Sequence, residues 1–198
     1  MKRFFDIVFS LIALAVFLPF GLLIALAIVC DTKGHVIYRQ ARVGRNNKDF
    51  RLYKFRTMYE ESDQGSLITI GVDDKRITRS GRLLRRFKID EFPQFLNILK
   101  GEMSIVGPRP EVRKYVDMYT PEQMKVLTVR PGLTDYASIR YVNENALLAA
   151  SENPEQTYIK EIMPDKLALS LKYIQDQSLW VDLKIMLKTL SAILHRGK

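Results

Sequence analysis

An uninterrupted apolar segment stands near the start of the chain. Residues 7–30 contain no charged side chain, and as an α-helix at about 1.5 Å per residue they would be about 36 Å long. The hydrocarbon core of a bilayer is about 30 Å thick, so this helix is long enough to cross a membrane. The run is too long for a cleaved signal peptide. The pattern therefore predicts a membrane helix that the mature protein retains.

Two features of this segment bear on how it meets the membrane. Pro19 and Gly21 lie within the run, and a proline removes one helix hydrogen bond and permits a bend. Positive charges flank the run, and because they favour the cytoplasmic side, both ends are drawn to one face. The flanking residues are Lys2 and Arg3 before the run and Lys33, Arg39, Arg42 and Arg45 after it. A re-entrant helix satisfies both features, and a single span kinked at the proline is the alternative.

The next part of the chain alternates short strand-like and helix-like patterns. Apolar and aromatic runs at 36–38 and 50–55 flank a turn-like sequence at 43–47, which predicts a small β-hairpin. Arginines at helical spacing predict a basic helix over 76–88. A second helix is predicted over 91–99, because a lysine and a glycine follow it as a C-terminal signal.

Helical periodicity returns towards the end of the chain. Patterns at 121–128 and 155–175 predict helices, and the acidic, polar stretch at 60–74 predicts a connecting surface loop. From 179 to 194, apolar residues recur at helical spacing with lysines among the polar positions. This last helix lies either in the membrane interface, with Trp180 at headgroup level, or packed on the core of its own domain. The sequence leaves both arrangements open.

Composition limits the partners and the chemistry. At 198 residues the chain has room for one domain and a membrane segment. Its formal net charge of +9 favours an anionic partner, which could be nucleic acid, anionic lipid or a phosphorylated substrate. The single cysteine, Cys30, excludes an intrachain disulfide, and His35 and His195 are far apart in sequence. A zinc site is not indicated, and a hard ion such as Mg²⁺ is the expected metal.

Adjacent carboxylates at Asp90 and Glu91 are the first candidates for catalysis. Proline is tolerated in the first turn of a helix, and Asp is a favoured N-cap, so Asp90 is predicted to begin the helix that contains Pro93. The helix dipole would then favour its ionised form at neutral pH. A purely structural cap is far commoner than a nucleophile. The context of these carboxylates raises the odds of catalysis, because a basic helix precedes them and two Arg-Pro loops follow.

The two Arg-Pro loops lie at 107–110 and 130–132. Prolines on both sides of Arg109 restrict the backbone around a permanently charged, planar group that suits phosphate oxygens. A rigid surface loop with a solvated arginine is the alternative for each loop. Together with the carboxylate pair, the loops indicate phosphoryl transfer, in which a protein mainly supplies positioning and charge neutralisation. A non-enzymatic alternative is a membrane-anchored basic adaptor that binds anionic lipid or nucleic acid.

With these motifs in order, the chain resembles the small monotopic phosphoglycosyl transferases of the bacterial sugar transferase family. The resemblance covers nearly the whole chain, and its motifs are KRFFD at 2–6, RVG at 42–44, YKFRTM at 53–58, DEFPQ at 90–94, NILKG at 97–101, MSIVGPRP at 103–110, RPGLT at 130–134 and DLKI at 182–185. Two positions depart from the family pattern. Leu18 precedes Pro19 where members often have Ser, and the segment after Thr134 differs. Because the segment after Thr134 differs, the sugar specificity of the family is not carried over to this chain.

The resemblance implies a mostly helical α/β fold. It comprises a re-entrant membrane helix at 1–32 and a compact catalytic domain at 33–198 with amphipathic interfacial helices and a small β-hairpin. Such enzymes are monotopic and lie on the cytoplasmic face of the bacterial inner membrane, in contact with its lipid. They use a UDP-sugar and undecaprenyl phosphate, and no nucleic acid. The sequence leaves open whether this chain is a monomer or a homodimer.

The resemblance also implies roles for individual residues. Asp90 attacks the sugar-linked phosphate, releases UMP and carries the phosphosugar covalently. Asp90 and Glu91 bind Mg²⁺, and Arg85 and Arg109 contact the phosphates of the donor. The remaining residues that line the site are Lys54, Arg56, Thr57, Arg130, Pro131, Gly132 and Thr134.

Overall fold

The computed structural model describes residues 1–60 and 74–195, which are mostly helical and include two small β-sheets. The predicted surface loop at 60–74 falls almost wholly outside the described residues. The strands are β1 (Ile37–Val43), β2 (Asp49–Phe55), β3 (Ser104–Val106) and β4 (Gly132–Thr134). The helices are α1 (Lys2–Asp31), α2 (Arg79–Arg86), α3 (Gln94–Lys100), α4 (Arg113–Val116), α5 (Tyr136–Arg140), α6 (Glu144–Ala149), α7 (Pro154–Thr157), α8 (Met163–Asp176) and α9 (Leu179–His195). The predicted mostly helical α/β class is confirmed.

The long helix α1 is apolar on most of its surface. By length and composition it could cross a membrane. One narrow stripe, which includes the buried side chains of Asp6, Ser10 and Ile28, packs on the rest of the protein. The remaining surface exposes large apolar side chains along the helix: Phe4, Phe5, Val8, Phe9, Leu11, Ile12, Val16, Leu18, Phe20, Leu22, Leu23, Leu26 and Val29. This face needs an apolar environment.

Contacts along α1 join it to the globular part from one end to the other. Near its start, the Arg3 guanidinium donates to the carbonyl of Leu99 at 3.0 Å. In the middle, the Phe17 ring stacks on Phe92 with a centroid distance of 3.5 Å. At its end, the Asp31 carboxylate accepts from the backbone N–H of Ser80 at 2.8 Å. Pro19 lies inside this one helix, so the re-entrant bend stays a prediction.

The predicted hairpin is confirmed. β1 and β2 pair antiparallel, with Ile37 opposite Phe55 and Val43 opposite Asp49. The turn between them contains Asn46 and Asn47 at φ values of 57° and 59°. Asparagine tolerates this left-handed region better than most residues, because its short polar side chain can bond locally.

A short parallel pair, β3 with β4, was not predicted. Ser104 lies opposite Gly132, and Val106 lies opposite Thr134. Gly107 follows β3 and Gly132 begins β4. Their backbones approach so closely that a Cβ on Gly132 would lie 2.1 Å from the Gly107 nitrogen. A glycine is therefore required here. The pairing brings the two Arg-Pro loops side by side.

Helix α9 packs on the core of its own domain, which is one of the two arrangements that the sequence left open. Asp182 and Ile185 on one face are buried against the domain. The other face exposes an apolar stripe, in which Trp180 is 64% exposed, together with Leu179, Leu183, Leu187, Leu190 and Leu194. The helix is therefore packed on the core and also presents a continuous apolar surface.

Candidate active site

Asp90 lies in a short 3-10 turn, Ile89–Glu91, and the prediction that it caps the following helix is wrong. Helix α3 begins at Gln94, and its N-cap position is Pro93, without a side-chain cap. A capping Asp90 would accept from the N–H of residue 92 or 93, and Pro93 has no N–H. Lys88 precedes the turn at a φ of 58°. The chain therefore turns the carboxylate into the protein instead of towards a helix end.

The environment of Asp90 disfavours its charge. The residue is 6% exposed, and its Oδ1 atom has no hydrogen-bond partner within residues 1–60 and 74–195. Burial, and then the neighbouring charge of Glu91, raise the pKa of Asp90 above its ordinary value, against the opposing effect of Lys54, Lys88 and Arg85. This result corrects the expectation that a helix dipole keeps Asp90 readily ionised.

Glu91 has the opposite electrostatic environment. Its Oε1 atom accepts a hydrogen bond from Arg109 and lies 3.6 Å from Nζ of Lys54 and 3.9 Å from Nζ of Lys88. Burial opposes ionisation, but these cations, led by Arg109, hold the pKa of Glu91 well below its ordinary range. The two adjacent carboxylates therefore have pKa values that are shifted in opposite directions, which is typical of groups with different chemical roles.

Two of the surrounding cations have pKa values that are shifted in opposite directions. The Arg109 side chain also donates to the carbonyl of Leu133 at 3.1 Å. Although burial opposes its charge, Glu91 raises the pKa of Arg109 further. Burial lowers the pKa of Lys54 to about 8, although Glu91 favours its charged form. Of Arg109 and Lys54, Lys54 is therefore the one that can lose its charge at mildly alkaline pH.

The basic helix α2 contributes Arg85. Its Nε donates to the Thr57 hydroxyl at 2.9 Å. Burial lowers the pKa of Arg85, and the nearby charge of Asp90 favours its protonated form. Helix α2 packs closely against the backbone of Thr57 and needs a glycine at position 81, because a Cβ there would lie 2.2 Å from the Thr57 carbonyl oxygen. Thr57 and Arg85 are thus brought together, with Arg85 near the charge of Asp90.

The other predicted site residues hold the frame around this cluster. Arg56 is 5% exposed and donates to the carbonyls of Thr32 and Lys33 at the end of α1. Arg130 donates to the Gly101 carbonyl at 2.8 Å. The Pro131 carbonyl accepts from the Ser104 N–H, and the Gly132 N–H donates to the Pro108 carbonyl. The Thr134 hydroxyl lies 2.6 Å from the Thr189 hydroxyl. Their contacts with a substrate stay predictions.

Sequence reasoning missed Lys88 as a member of the cluster. Its spacing of three residues from Glu91 could have indicated the contact, because residues three apart are neighbours in a helical turn. It also missed Asp6, whose carboxylate accepts from Ser104 and from the backbone of Ile105. No local pattern links residues that lie 98 positions apart.

The arrangement defines a buried carboxylate without a hydrogen bond at Oδ1, placed beside a second carboxylate and several cations. Positive groups around a carboxylate can neutralise the charge of a bound phosphate, which is what phosphoryl transfer requires of a protein. The bacterial sugar transferase model matches residues 1–196, and the chain belongs to the bacterial sugar transferase family.

Several curated proteins are similar over nearly the whole chain. A UDP-N-acetylgalactosamine-undecaprenyl-phosphate N-acetylgalactosaminephosphotransferase from Aeromonas hydrophila is 38% identical over 98% of this chain and 44% of its own length. A UDP-glucose:undecaprenyl-phosphate glucose-1-phosphate transferase from Caulobacter vibrioides is 39% identical over 98% of this chain and 69% of its own length. The exopolysaccharide production protein PSS of Rhizobium leguminosarum is 37% identical over 100% of this chain and 97% of its own length. The chain thus spans less than half of the Aeromonas relative.

Proposed function

We propose that this protein transfers a sugar-1-phosphate from a UDP-sugar to undecaprenyl phosphate, as the membrane step that begins assembly of a polysaccharide or another glycoconjugate. The names of two relatives, from Aeromonas and Caulobacter, describe this reaction with two different sugars. The donor is therefore defined here only as a UDP-sugar. Membership of the family supports a transferase over a basic adaptor.

The observation that carries the proposal is the state of Asp90. Its buried Oδ1 lacks a hydrogen bond within the described parts of the chain, and an unsatisfied buried oxygen is costly unless a substrate uses it. The cations Lys54, Lys88 and Arg85 act on this carboxylate. They would reduce the repulsion between an ionised Asp90 and an incoming diphosphate.

The reaction proceeds in two displacements. An Asp90 oxygen attacks the phosphorus that carries the sugar and forms an acyl phosphate, while the bond from that phosphorus to the bridging oxygen breaks and UMP leaves. A phosphate oxygen of undecaprenyl phosphate then attacks the same phosphorus. This second step breaks the bond to Asp90, restores the carboxylate and leaves the sugar on a lipid diphosphate. Arg109, whose side chain donates to Glu91 and to the Leu133 carbonyl, would neutralise charge at the reacting phosphate.

Mg²⁺ is the metal that this donor set fits. Within residues 1–60 and 74–195, no three histidine, cysteine, aspartate or glutamate side chains cluster to form a metal site by themselves. Asp90 and Glu91 supply two carboxylates, and Mg²⁺ commonly combines one or two carboxylates with the phosphates of its substrate. The ion would supply charge neutralisation at the diphosphate. We expect Glu91→Gln to weaken the dependence of turnover on Mg²⁺.

We further propose that the protein is monotopic and lies on the cytoplasmic face of the inner membrane. Both ends of α1 contact the same globular part, through Arg3 at the start and Asp31 at the end. Two ends held by one polar domain favour entry and exit on one side of the bilayer. The exposed apolar stripe of α9 supplies a second membrane-seeking surface. The soluble donor and the lipid phosphate would then meet at the membrane surface.

Release of UMP tests the reaction. The purified protein would be mixed with undecaprenyl phosphate, Mg²⁺ and each of a panel of UDP-sugars, in parallel with the Asp90→Asn variant. We expect release from at least one donor and a loss of at least about 10³-fold in the variant. Asp117→Asn is the matched control, because Asp117 is 62% exposed and pairs only weakly with Arg113 at 3.8 Å. Near-normal turnover by Asp90→Asn would exclude the covalent route.

Intact mass spectrometry tests the intermediate directly. Omitting undecaprenyl phosphate should leave a protein whose mass is increased by one sugar phosphate, in the wild type and in the Asp117→Asn control. The Asp90→Asn variant should show no increase. UMP release without any adduct on the wild type would instead favour direct transfer between the two substrates.

A further inference from the structure

The three-residue strand β3 depends on support from outside its own sheet. Among the residues that the structure describes, it pairs only with β4, which is also three residues long. A parallel pair this short is marginal, because few backbone hydrogen bonds offset the cost of ordering the chain. The position of β3 matters because the loop that carries Arg109 begins at its end.

Asp6, on the membrane helix α1, holds the first two residues of β3. Its Oδ2 accepts from the Ser104 hydroxyl at 2.8 Å, and its Oδ1 accepts from the Ile105 backbone N–H at 3.1 Å. Asp6 is 4% exposed and Ser104 is 2% exposed. Hydrogen bonds that a carboxylate accepts from buried N–H or O–H groups are stronger than neutral ones and are costly to lose.

A second group of side chains holds the last residue of β3. The Tyr173 hydroxyl lies 3.1 Å from the Val106 carbonyl oxygen and 2.7 Å from Oδ1 of Asp182 on α9. Lys2, at the start of α1, forms an ion pair with Asp182 and donates to the Tyr173 hydroxyl at 3.2 Å. The N-terminal part of α1 therefore contacts β3 directly through Asp6 and indirectly through Lys2.

The connection from β3 to the carboxylates is short and stiff. After Val106, the Gly107 N–H donates to the Thr134 carbonyl at 3.0 Å. Prolines at 108 and 110 then restrict the backbone on both sides of Arg109. A displacement of β3 would thus be passed to Arg109 and not absorbed by a flexible loop.

We propose that Asp6 is a positioning residue, through which the N-terminal part of α1 holds β3 and so sets the place of Arg109 beside Glu91. Asp6 does not touch the substrate. Its effect on turnover rests on the proposed transferase function, but its effect on the order of the Arg109 loop does not. The membrane helix thereby contributes to the alignment of the active site as well as to anchoring.

Hydrogen exchange tests the structural half without any substrate. In Asp6→Ala, we expect faster amide exchange in the peptides that contain residues 104–110 and no change across the β1–β2 hairpin. The matched control is Ser10→Ala. Ser10 is also buried on α1, and its hydroxyl has no hydrogen-bond partner in the described residues. Unchanged exchange at 104–110 in Asp6→Ala would overturn the proposal, whether or not the enzyme turns over.

Kinetics test the catalytic half. We expect Asp6→Ala to lower kcat about 10- to 100-fold while KM for the UDP-sugar stays within about twofold, because small misplacements of a catalytic cation act mainly on the transition state. Ser104→Ala is the milder variant, because it keeps the hydrogen bond that the Ile105 N–H donates to Asp6. It therefore controls for a loss of activity through misfolding. It should fall between the wild type and Asp6→Ala. Ser10→Ala should turn over normally.

The decisive comparison combines Asp6→Ala with Arg109→Lys. If Asp6 acts through Arg109, the two losses in kcat should be far less than multiplicative, because the second change removes an interaction already impaired. Their effects on the melting temperature should instead be nearly additive. Losses in kcat that multiply would show that Asp6 acts independently of Arg109 and would overturn the proposal. Absence of turnover in the wild type would count against the proposed function alone, and the exchange result would still decide the role of Asp6.

Discussion

The Arg109 guanidinium donates a hydrogen bond to Glu91 across 18 residues of chain, and the same carboxylate oxygen lies 3.6 Å from Nζ of Lys54. Glu91 is thereby held as an anion, whereas the neighbouring Asp90 is buried with a raised pKa. Glu91 contacts the cations, whereas Oδ1 of Asp90 has no hydrogen-bond partner among residues 1–60 and 74–195. The first predictions concern this division of roles.

Replacing Glu91 with Gln should destabilise the protein at neutral pH. The change leaves Arg109, Lys54 and Lys88 close together without their shared counter-ion. Breaking a buried ion pair by removing one partner typically costs about 3 kcal/mol or more of the free energy of unfolding. Denaturant unfolding would measure the loss. The control Glu122→Gln removes an exposed pair with Lys125 and should cost less than about 1 kcal/mol.

Replacing Asp90 with Asn should stabilise the protein at neutral pH while removing activity. Because burial raises the pKa of Asp90, the native state binds its proton more tightly than the unfolded state does. Wild-type stability relative to the variant should therefore fall as the pH rises from the ordinary aspartate range through the raised pKa, and then level off. Melting temperatures at a series of pH values would test this. A difference that does not change with pH would contradict the raised pKa.

The activity of the free enzyme should decline on the alkaline side with an apparent pKa of about 8, the value to which burial lowers the pKa of Lys54. Loss of this charge removes one of the cations beside Glu91 and reduces the attraction for a diphosphate. The pH dependence of kcat/KM reports groups of the free enzyme. In Lys54→Arg the decline should move to higher pH, because arginine stays charged. An unchanged profile in Lys54→Arg would assign the decline to another group.

The single tryptophan offers a direct test of membrane contact. Trp180 is the only tryptophan of the chain and is 64% exposed beside the leucine stripe of α9. In proteoliposomes, brominated lipids should quench its fluorescence most strongly when the bromine lies near the headgroups. Leu187→Gln should reduce this quenching. The control Lys172→Gln changes α8 outside this stripe and should leave quenching unchanged, whereas no quenching in the wild type would exclude the interfacial position.

Several elements followed from local sequence patterns. The hairpin formed where alternating runs flank an asparagine-rich turn, and α3 ended at Gly101, which has a φ of 85°. The apolar run formed α1. The chain also belongs to the family that its motifs indicated. In each case the signal lies in residues that are neighbours in sequence, so local stereochemistry and periodicity suffice to recognise it.

Other features depended on contacts between distant residues. The pairing of β3 with β4 left no pattern, because three-residue strands are too short to show periodicity. Arg109 and Arg130 share an Arg-Pro motif, yet Arg109 reaches Glu91 whereas Arg130 reaches the Gly101 carbonyl. The helix dipole was expected to keep Asp90 ionised at neutral pH, but burial raises its pKa instead.

By itself, the sequence determined the apolar anchor, the carboxylate pair, the basic composition and the membership of a family. The tertiary structure decided which charges meet and that Oδ1 of Asp90 is buried without a hydrogen bond from the part of the chain that the structure describes. It also decided that Asp6 on α1 accepts hydrogen bonds from Ser104 and Ile105 of β3. The physical reason is that propensity and periodicity act over a few residues. Desolvation and ion pairing depend on the complete set of neighbours, which only the folded chain assembles.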